Sequence, residues 1–573
     1  MLIGYFMNPT TLVKSFQNVI FVLIAFLQFA ALAVFADTVT PHPYLGYNKE
    51  KVQLYVDGKP YLIIGGELHN SSTSSIAYMA PYWSKYKDMN INTVLAAITW
   101  QQFEPEEGKF DYRIVDHLIE QAEKHELRLI ILWFGSWKNG QSSYTPMWVK
   151  EDTERFQRVQ NKEKHAIETI SVFSKPLLSA DKKAYVALNE RISQKDATNR
   201  IIMMQPQNEV GILGSDFDYS ALGLQTLKST VPSKLMNYMK ANSDRLRPEL
   251  LEVWKQAGMK NSGTWTEVFG DNIYAKEFLL AWSYASFIGE IAEAGRDVHD
   301  LPTFVNAWIV QNDTELPGQY PAGGPVSRVM DIYKAASNKI DFLAPDIYLA
   351  DFKGITSDYV RDDNPLFVPE STIDASRAYY IIGEHGALGY SPFGIEDGVG
   401  NKAFSKAYGV LHEISHLLLD PANSTMGVLR QGSEKGRIIE LEDMFIDIGF
   451  SSLVEPSYGI IIRTNENEFY IAGVNLHVKF NSKNDESTLY ISEVNEGRFE
   501  EEKWKPGRLL NGDDTFHNER VRVYGRIKVS GPTFASDQDR PPQPTADSEF
   551  SNANQNIENI STPGIYKVTL YTR

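Results

Sequence analysis

Short apolar segments alternate with longer amphipathic segments along most of this chain, and this alternation limits the fold more than any other feature. Eight segments have the length and composition of buried strands: 61–65, 93–99, 128–133, 201–205, 303–308, 342–348, 366–368 and a weaker one near Ala387. Helical patterns lie between them, for example at 76–89, 114–125, 231–257 and 275–294. A doubly wound sheet usually has fewer strands, so the α/β pattern predicts a (β/α)8 TIM barrel.

The pattern changes after a last helix that begins at Asn401, a plausible N-cap, and ends before Pro421. Beyond it, alternating runs at 458–464 and 469–480 predict β-hairpins. We therefore expect a catalytic barrel with an N-terminal hairpin at 41–420, followed by a smaller all-β sandwich, an accessory domain, at 421–573. Within the latter, residues 530–564 are expected to form a long loop, and 565–571 a final strand.

The N-terminus has the pattern of an export signal. Lys14 is the only charge ahead of the apolar run 19–35, and small residues precede a cleavage site after Ala36. We expect residues 1–36 to be a signal peptide and the mature chain to be periplasmic or secreted, without stable membrane association. An uncleaved N-terminal anchor is the alternative.

Composition narrows the class of partner and the source of stability. The formal net charge of −17 argues against a nucleic-acid partner. The chain has no cysteine, so its stability must come from large apolar cores. Aromatic residues make up 12% of the chain, with 10 Trp, which suits either sugar-stacking surfaces or a large aromatic core.

Two glutamates follow predicted barrel strands, where barrel enzymes carry their chemistry. Glu209 follows the fourth strand after Asn208, and Glu370 follows the seventh. Asn-Glu recurs elsewhere in the chain, so the dipeptide alone does not indicate a catalytic residue. The evidence is its position after a predicted strand, together with the second strand-end glutamate. Glycosidic cleavage needs one protonated and one ionised carboxyl group, and a separation of roughly 5 to 5.5 Å would imply retention through a covalent intermediate.

The segment Gln205-Pro-Gln-Asn-Glu-Val-Gly211 resembles the fourth-strand motif of glycoside hydrolase family 35, the β-galactosidases of a large clan of retaining barrel glycosidases. Asn364-Pro-Leu-Phe-Val-Pro-Glu370 resembles the nucleophile strand of its bacterial branch, which includes exported enzymes acting on xyloglucan side chains. Segments 65–69, 100–111 and 132–140 are also similar to this family. The resemblance implies that Glu209 is the acid/base and Glu370 the nucleophile.

The resemblance also implies substrate-binding residues. Asn208 would hydrogen-bond the sugar 2-hydroxyl group, Tyr348 would hold the nucleophile, and Glu67 lies in the matching first-strand segment. Trp100, Trp137 and Trp308 at strand ends are candidates for sugar stacking or for plain packing.

The chain departs from the animal and plant members of the family at two positions. Those members have glutamates where this chain has Gln207 and Ser136, and these acids help to define the galactose pocket. The reaction is therefore better specified than the sugar.

A rival motif lies on the last barrel helix. His412-Glu413-Ile-Ser-His416 matches the pattern of zinc metalloproteases, in which two histidines one turn apart bind the metal. No third ligand follows at the usual spacing, so two histidines on a solvated helical face are the favoured interpretation. A third hypothesis is a non-catalytic carbohydrate-binding barrel.

The sequence thus predicts a retaining exo-β-glycosidase, and within that class a β-galactosidase that releases terminal galactose from plant-type oligosaccharides such as xyloglucan side chains. The oligosaccharide is the expected partner, and neither a cofactor nor a metal ion is expected. Another retaining glycosidase of the same clan, with a different sugar specificity, is the alternative. The oligomeric state stays open.

Overall fold

The structure is a computed structural model that describes residues 41–48, 51–451, 456–484, 488–510, 515, 520–523 and 562–573. The predicted signal peptide at 1–36 and nearly all of the predicted loop at 530–564 lie outside these residues. Within the described ranges, no helix combines the length and apolarity that crossing a membrane requires.

The strands of the first part of the chain are β1 (Tyr44–Asn48), β2 (Lys51–Val56), β3 (Lys59–Tyr61), β4 (Ile63–Glu67), β5 (Thr93–Thr99), β6 (Arg128–Lys138), β7 (Arg158–Gln160), β8 (Ala166–Ile170), β9 (Ile201–Asn208), β10 (Phe304–Trp308), β11 (Phe342–Asp346) and β12 (Gly389–Tyr390).

The α-helices are α1 (Ile76–Met79), α2 (Trp83–Asp88), α3 (Trp100–Phe103), α4 (Arg113–Lys124), α5 (Met147–Glu151), α6 (Lys175–Lys195), α7 (Ala221–Leu227), α8 (Ser233–Ala241), α9 (Pro248–Gln256), α10 (Trp265–Phe269), α11 (Ile273–Arg296), α12 (Met330–Ala336), α13 (Phe352–Tyr359), α14 (Ala375–His385) and α15 (Lys402–Leu419). Short 3-10 turns lie at Ser72–Ser74, Ser327–Val329 and Ile395–Gly398.

Eight parallel segments close into a barrel. Strands β12, β4, β5, β6 and β9 form one sheet in that order, and β10 pairs with β11. Bridges from Met204 to Thr303, from Ile347 to Ser371 and from Val368 to Tyr390 join the remaining neighbours. The seventh position is taken by residues 366–371, which bond to both neighbours without forming a regular strand. The predicted TIM barrel is confirmed, because the sheet has no free edge.

Side chains of the barrel strands alternate between two cores. Ile63, Leu95, Leu132, Phe304 and Phe342 belong to the barrel interior, whereas their neighbours along the strands pack against the surrounding helices. Burial on both faces explains why these strands are continuously apolar. Leu54 and Val56 of the N-terminal hairpin join the interior cluster.

Two predicted helices are broken. The pattern at 76–89 forms α1 and α2 on either side of Pro81, and the pattern at 231–257 forms α8 and α9, the second starting at Pro248. Proline lacks the backbone donor and clashes with the preceding turn, but it fits the first position of a new helix. The amphipathic period continued through both breaks.

The later strands are β13 (Ser424–Leu429), β14 (Gly436–Glu440), β15 (Met444–Phe450), β16 (Tyr458–Asn465), β17 (Glu468–Val474), β18 (Leu476–Ser482), β19 (Leu489–Glu500), β20 (Lys503–Leu510), β21 (Val521–Val523) and β22 (Gly564–Thr572). They form a six-stranded sheet, β13-β16-β17-β22-β19-β20, and a four-stranded sheet, β14-β15-β18-β21. The apolar run at 469–480 is not one hairpin arm, because it divides at Asn475, whose φ is 57°, and its halves lie in different sheets.

The six-stranded sheet uses its two faces differently. Ile461 and Ile471 face the four-stranded sheet, whereas Ile460 and Ala472 share the core that surrounds the barrel. This follows from the alternation of side chains along a strand. The described residues from His42 to Arg573 consequently form one compact unit.

Candidate active site

The fourth barrel strand ends in an unusual backbone. Gln207 has a φ of 69° and Glu209 a φ of 42°, so two non-glycine residues take left-handed conformations on either side of Asn208. Such residues are uncommon and cluster at functional sites. The turn is held by hydrogen bonds, because Glu209 N donates to Asn306 Oδ1 at 3.0 Å and Gly140 N donates to Glu209 O at 2.9 Å.

Glu370 closes the seventh barrel segment and is held by a tyrosine. Tyr348 Oη donates to Glu370 Oε1 at 2.7 Å, and Ile347 N donates to Glu370 O at 2.9 Å. The Glu370 side chain is buried, whereas Tyr348 is 47% exposed. The predicted contact between Tyr348 and the carboxyl group of Glu370 is present.

Four buried acids and one buried lysine meet at the C-terminal ends of the strands. The acids are Glu67 on β4, Glu209 after β9, Asp346 on β11 and Glu370, and each influences the ionisation of at least one other. Lys138, at the end of β6, donates from Nζ to Asn208 Oδ1 at 2.9 Å. One buried cation therefore faces four acids.

This crowding keeps protons on the cluster. Burial, followed by the charge of Glu370, raises the pKa of Glu209 from 4.5 to about 7. The same two causes raise the pKa of Glu67 and of Asp346 well above their usual values, and the Lys138 charge opposes all three increases. Like charges in a desolvated site cannot all ionise, so near neutral pH the cluster contains protonated acids.

Five buried polar atoms of this cluster have no hydrogen-bond partner within the described protein. They are Glu67 Oε1, Asn208 Nδ2, Glu209 Oε2, Asp346 Oδ1 and Glu370 Oε2. Buried polar atoms are nearly always paired, so a group of unpaired donors and acceptors indicates a place where a polar ligand completes the hydrogen bonding. Asn208 Nδ2 is free to donate, as its predicted contact with a sugar hydroxyl requires.

Two of the three tryptophans predicted to stack on sugars do not line the site. Trp100 and Trp137 are both 0% exposed; Trp100 Nε1 donates to Glu104 and Trp137 Nε1 to the carbonyl of Ile170. Their rings pack against Trp148 and Phe287 respectively. A fully buried indole offers no face to a sugar, so this prediction is wrong for both. Trp308, at the end of β10, is half-buried and retains exposed surface.

The two departures from the animal and plant pattern share a hydrogen-bond partner. Gln207 Nε2 and Ser136 Oγ both donate to Oδ2 of Asp181, a buried acid on α6. Gln207 Oε1 in turn accepts from Trp137 N at 3.0 Å. These side chains brace β6 and β9 from behind the site.

The metalloprotease-like residues point to different neighbours. His412 Nε2 lies 2.8 Å from the carbonyl of Asn90, the His416 ring packs against Phe499, and Glu413 accepts from Phe499 N. No group of three or more metal-ligating side chains was found among the described residues. The motif joins α15 to the barrel and to the sandwich.

Lys138, Asn306 and Asp346 are site residues that the sequence analysis did not identify. Lys138 and Asp346 are the last residues of their strands, and Asn306 lies two residues before the end of β10. The signal that could have found them is this position alone, because a barrel brings all strand ends to one face.

The sequence model described as glycosyl hydrolases family 35 matches residues 53–267, and a domain of unknown function, DUF5597, matches residues 404–522. The first match confirms the family 35 resemblance and supports the class of glycoside hydrolase; it contains Glu209 and ends before Glu370. The exported branch stays a prediction.

A curated relative, a β-galactosidase from Xanthomonas manihotis, is 32% identical over 104 residues, which are 18% of this chain and 17% of that protein's length. Among solved structures, a β-galactosidase from Bacillus circulans sp. alkalophilus has a TM-score of 0.43 and 14% identity over 63% of this chain and 57% of that chain. The catalytic domain of a β-amylase from Paenibacillus polymyxa has a TM-score of 0.41 and 12% identity, covering 57% of this chain and 91% of that chain.

Proposed function

We propose that this chain is a retaining exo-β-glycosidase of the family 35 type, a β-galactosidase, with Glu209 as acid/base and Glu370 as nucleophile. The observation that carries the proposal is the pairing of two buried strand-end carboxyl groups, one of which has its pKa raised to about 7 partly by the charge of the other. A proton donor beside an ionised carboxylate is what glycosidic cleavage requires.

In the first step, protonated Glu209 gives its proton to the glycosidic oxygen while Glu370 forms a bond to the anomeric carbon. The Tyr348 hydroxyl group holds the attacking carboxylate by its contact with Oε1. The unpaired Glu370 Oε2 is free to attack. Asn208 Nδ2 donates to the sugar 2-hydroxyl group, a contact that strengthens as the oxocarbenium-like transition state forms.

In the second step, Glu209 works as a base. Once Glu370 is esterified, its negative charge is gone, and the pKa of Glu209 falls because that charge had raised it. The ionised Glu209 then takes a proton from the attacking water, and the ester bond to Glu370 breaks. The same charge coupling thus sets the protonation state of Glu209 in both steps.

The test begins with turnover of aryl β-galactoside, glucoside, mannoside and fucoside, followed by trapping with the matching 2-fluoro sugar. We expect galactoside to be the best substrate and the label to lie on Glu370. A label on another residue would contradict the assignment of the nucleophile. Preference for another sugar would favour the clan alternative, and oligosaccharide binding without any turnover would favour a carbohydrate-binding barrel.

Glu209 is tested by Glu209→Ala. With an aryl leaving group that needs no protonation, the variant should keep its first step and gain activity when azide replaces the water. The matched control is Glu163→Gln, which changes an exposed carboxyl group. Equal loss on all leaving groups, without azide rescue, would argue against Glu209.

The natural substrate and the compartment belong to the same proposal. Galactose-capped plant oligosaccharides such as xyloglucan side chains fit the resemblance of the nucleophile strand, and residues 1–36 would direct export. Release of free galactose from xyloglucan oligosaccharides tests the first point. N-terminal sequencing of protein from the periplasm or medium tests the second, with Asp37 expected as the first residue.

A further inference from the structure

Asn306 links the backbone of Glu209 to the side chain of Asp346. The Glu209 backbone N–H can only donate, so the atom that it meets on Asn306 must be the amide oxygen. The other atom of that amide, Nδ2, then donates to Asp346 Oδ2 at 2.7 Å. This orientation is fixed by the backbone, and it makes Asp346 Oδ2 an acceptor.

The other oxygen of Asp346, Oδ1, is unpaired, and a proton on it would let it donate a hydrogen bond to Glu209. The carboxyl groups of Asp346 and Glu209 lie close enough for each to alter the ionisation of the other. Asp346 Oδ1 and Glu209 Oε2 are both buried, and neither meets a donor from any other described residue. Two carboxylates cannot hydrogen-bond, whereas a carboxylic acid and a carboxylate can.

When only one of the two acids is ionised, the groups around them determine which one stays neutral. Asp346 is buried at the end of β11 among Glu67, Glu209 and Glu370, and the positive charge of Lys138 opposes their effect on it. Lys138 Nζ is directed to Asn208, next to Glu209 in the chain. Glu209 is therefore the better placed of the two to carry the negative charge.

We propose that Asp346 is a protonated positioning residue, which donates a hydrogen bond to Glu209 and is oriented for this by Asn306. The inference rests on the proposed function of Glu209. Its consequence is a stabilised Glu209 carboxylate, which the hydrolysis of the glycosyl-enzyme needs. Burial and the charge of Glu370 oppose ionisation of Glu209, and the Asp346 hydroxyl group and Lys138 favour it.

The groups that face Glu209 from the surrounding elements are Glu370, Lys138, Asp346 and Glu67. Those that face Asp346 are Glu370, Glu209, Glu67, Lys138, Tyr348 and Tyr359. The sign of the effect of Asp346 separates its two possible forms. A neutral donor lowers the pKa of Glu209, whereas an ionised neighbour would raise it.

The experiment measures the pH profile of kcat/KM on an aryl β-glycoside for wild type, Asp346→Ala and Asp346→Asn. The alkaline limb reports loss of the proton from the acid in the free enzyme. In Asp346→Ala the limb should move up by about one pH unit, the size expected for a charge-assisted hydrogen bond. Asparagine is neutral and keeps both contacts, so its limb should stay close to that of wild type. A downward shift in both variants, or no shift in Asp346→Ala, would overturn the proposal.

A control and a second measurement separate this inference from folding and from the proposed function. Asp196→Asn changes another buried acid of the barrel, one that accepts from Arg200 N and Ile201 N before β9; it should lower the melting temperature without moving the limb. Infrared difference spectra of wild type against Asp346→Asn at pH 7 should contain the carbonyl band of one protonated carboxyl group. Its absence refutes the protonated state of Asp346 even if no glycoside is turned over.

Discussion

At the scale of single residues, the site combines several features that each cost folding free energy. Glu209 has a left-handed backbone, a buried side chain and an unpaired carboxyl oxygen. None of these features stabilises the fold, so their cost must be offset by packing elsewhere. Replacing functional side chains should therefore have opposite effects on stability and on catalysis.

The first prediction concerns Glu209→Gln. A carboxyl group with a folded pKa of about 7 against an ordinary 4.5 stabilises the fold at low pH, and this stabilisation is lost as the pH rises towards 7. The amide keeps the shape without the charge, so Glu209→Gln should raise the free energy of unfolding by up to about 3 kcal/mol at pH 8 and change it little at pH 4.5. Denaturant unfolding at both pH values measures this. If Glu209→Gln changes the free energy of unfolding by the same amount at both pH values, the buried-charge argument is contradicted.

The second prediction concerns Tyr348→Phe, which removes the donor to Glu370 Oε1. A hydrogen bond to a charged group contributes about 1.5 to 3 kcal/mol, so kcat/KM should fall roughly 10- to 100-fold. Tyr348 is half-exposed, so the melting temperature should hardly change. Tyr47→Phe, at a well-exposed tyrosine of β1, is the control. An equal loss of kcat/KM in this control would contradict a specific role of the Tyr348 hydroxyl group.

At the scale of helices and strands, β22 is the element on which the sandwich depends most. It lies between β17 and β19 in the six-stranded sheet, and Val568 and Leu570 belong to the sandwich core. Deletion of residues 565–573 should unfold the sandwich, with loss of its β-sheet signal in circular dichroism and a lower melting temperature. Tyr571→Ser, at the exposed end of the strand, should leave both near wild type. Unchanged melting after the deletion would contradict the central placement.

Pattern and length were enough to predict the barrel, because strands buried on both faces have a recognisable apolar composition. They were not enough at the seventh segment, where residues 366–371 bond to both neighbours irregularly. The divided helices have a local cause in Pro81 and Pro248, which the sequence analysis passed over because the amphipathic period continues through both.

The site was predictable in part for a related reason. Glu209, Glu370 and Tyr348 were found from motifs and strand ends, and Glu67 and Asn208 lie with them. Lys138 and Asp346 belong to the same cluster, but their roles arise only when strands distant in sequence are adjacent. Trp100 and Trp137 were misassigned because a strand-end position does not distinguish a pocket wall from the packing layer behind it.

At the scale of the whole molecule, the main feature is the contact between the barrel and the sandwich. Helix α14, which follows the Glu370 segment, packs against β13 and β16. Arg437 forms a two-pronged ion pair with Glu384, at 2.6 and 2.8 Å, and the Tyr379 and Tyr458 rings lie 5.0 Å apart. One apolar core continues across this contact, so we expect the two parts to unfold in a single transition.

Gly427→Ala tests this contact. A Cβ atom at Gly427 would lie 2.2 Å from the Tyr380 carbonyl oxygen, whereas one at Gly449 would have its nearest neighbour at 3.8 Å. Overpacking of this kind typically costs about 1 to 3 kcal/mol. Gly427→Ala should therefore lower the melting temperature, and because the core is shared the variant should still unfold in a single transition. Gly449→Ala is the matched control. Equal stability of the two variants would contradict a close contact at β13.

The charge coupling between Glu370 and Glu209 has a practical consequence for synthesis. In a chain with Gly in place of Glu370, we expect hydrolysis to stop because the proposed nucleophile is missing, and the charge that raises the pKa of Glu209 is absent as well. Such a chain would hold its base ready at neutral pH to deprotonate an acceptor sugar. Supplied with an α-glycosyl fluoride, it would join sugars instead of separating them, and the acidity of its one remaining catalytic glutamate would set the pH at which it does so.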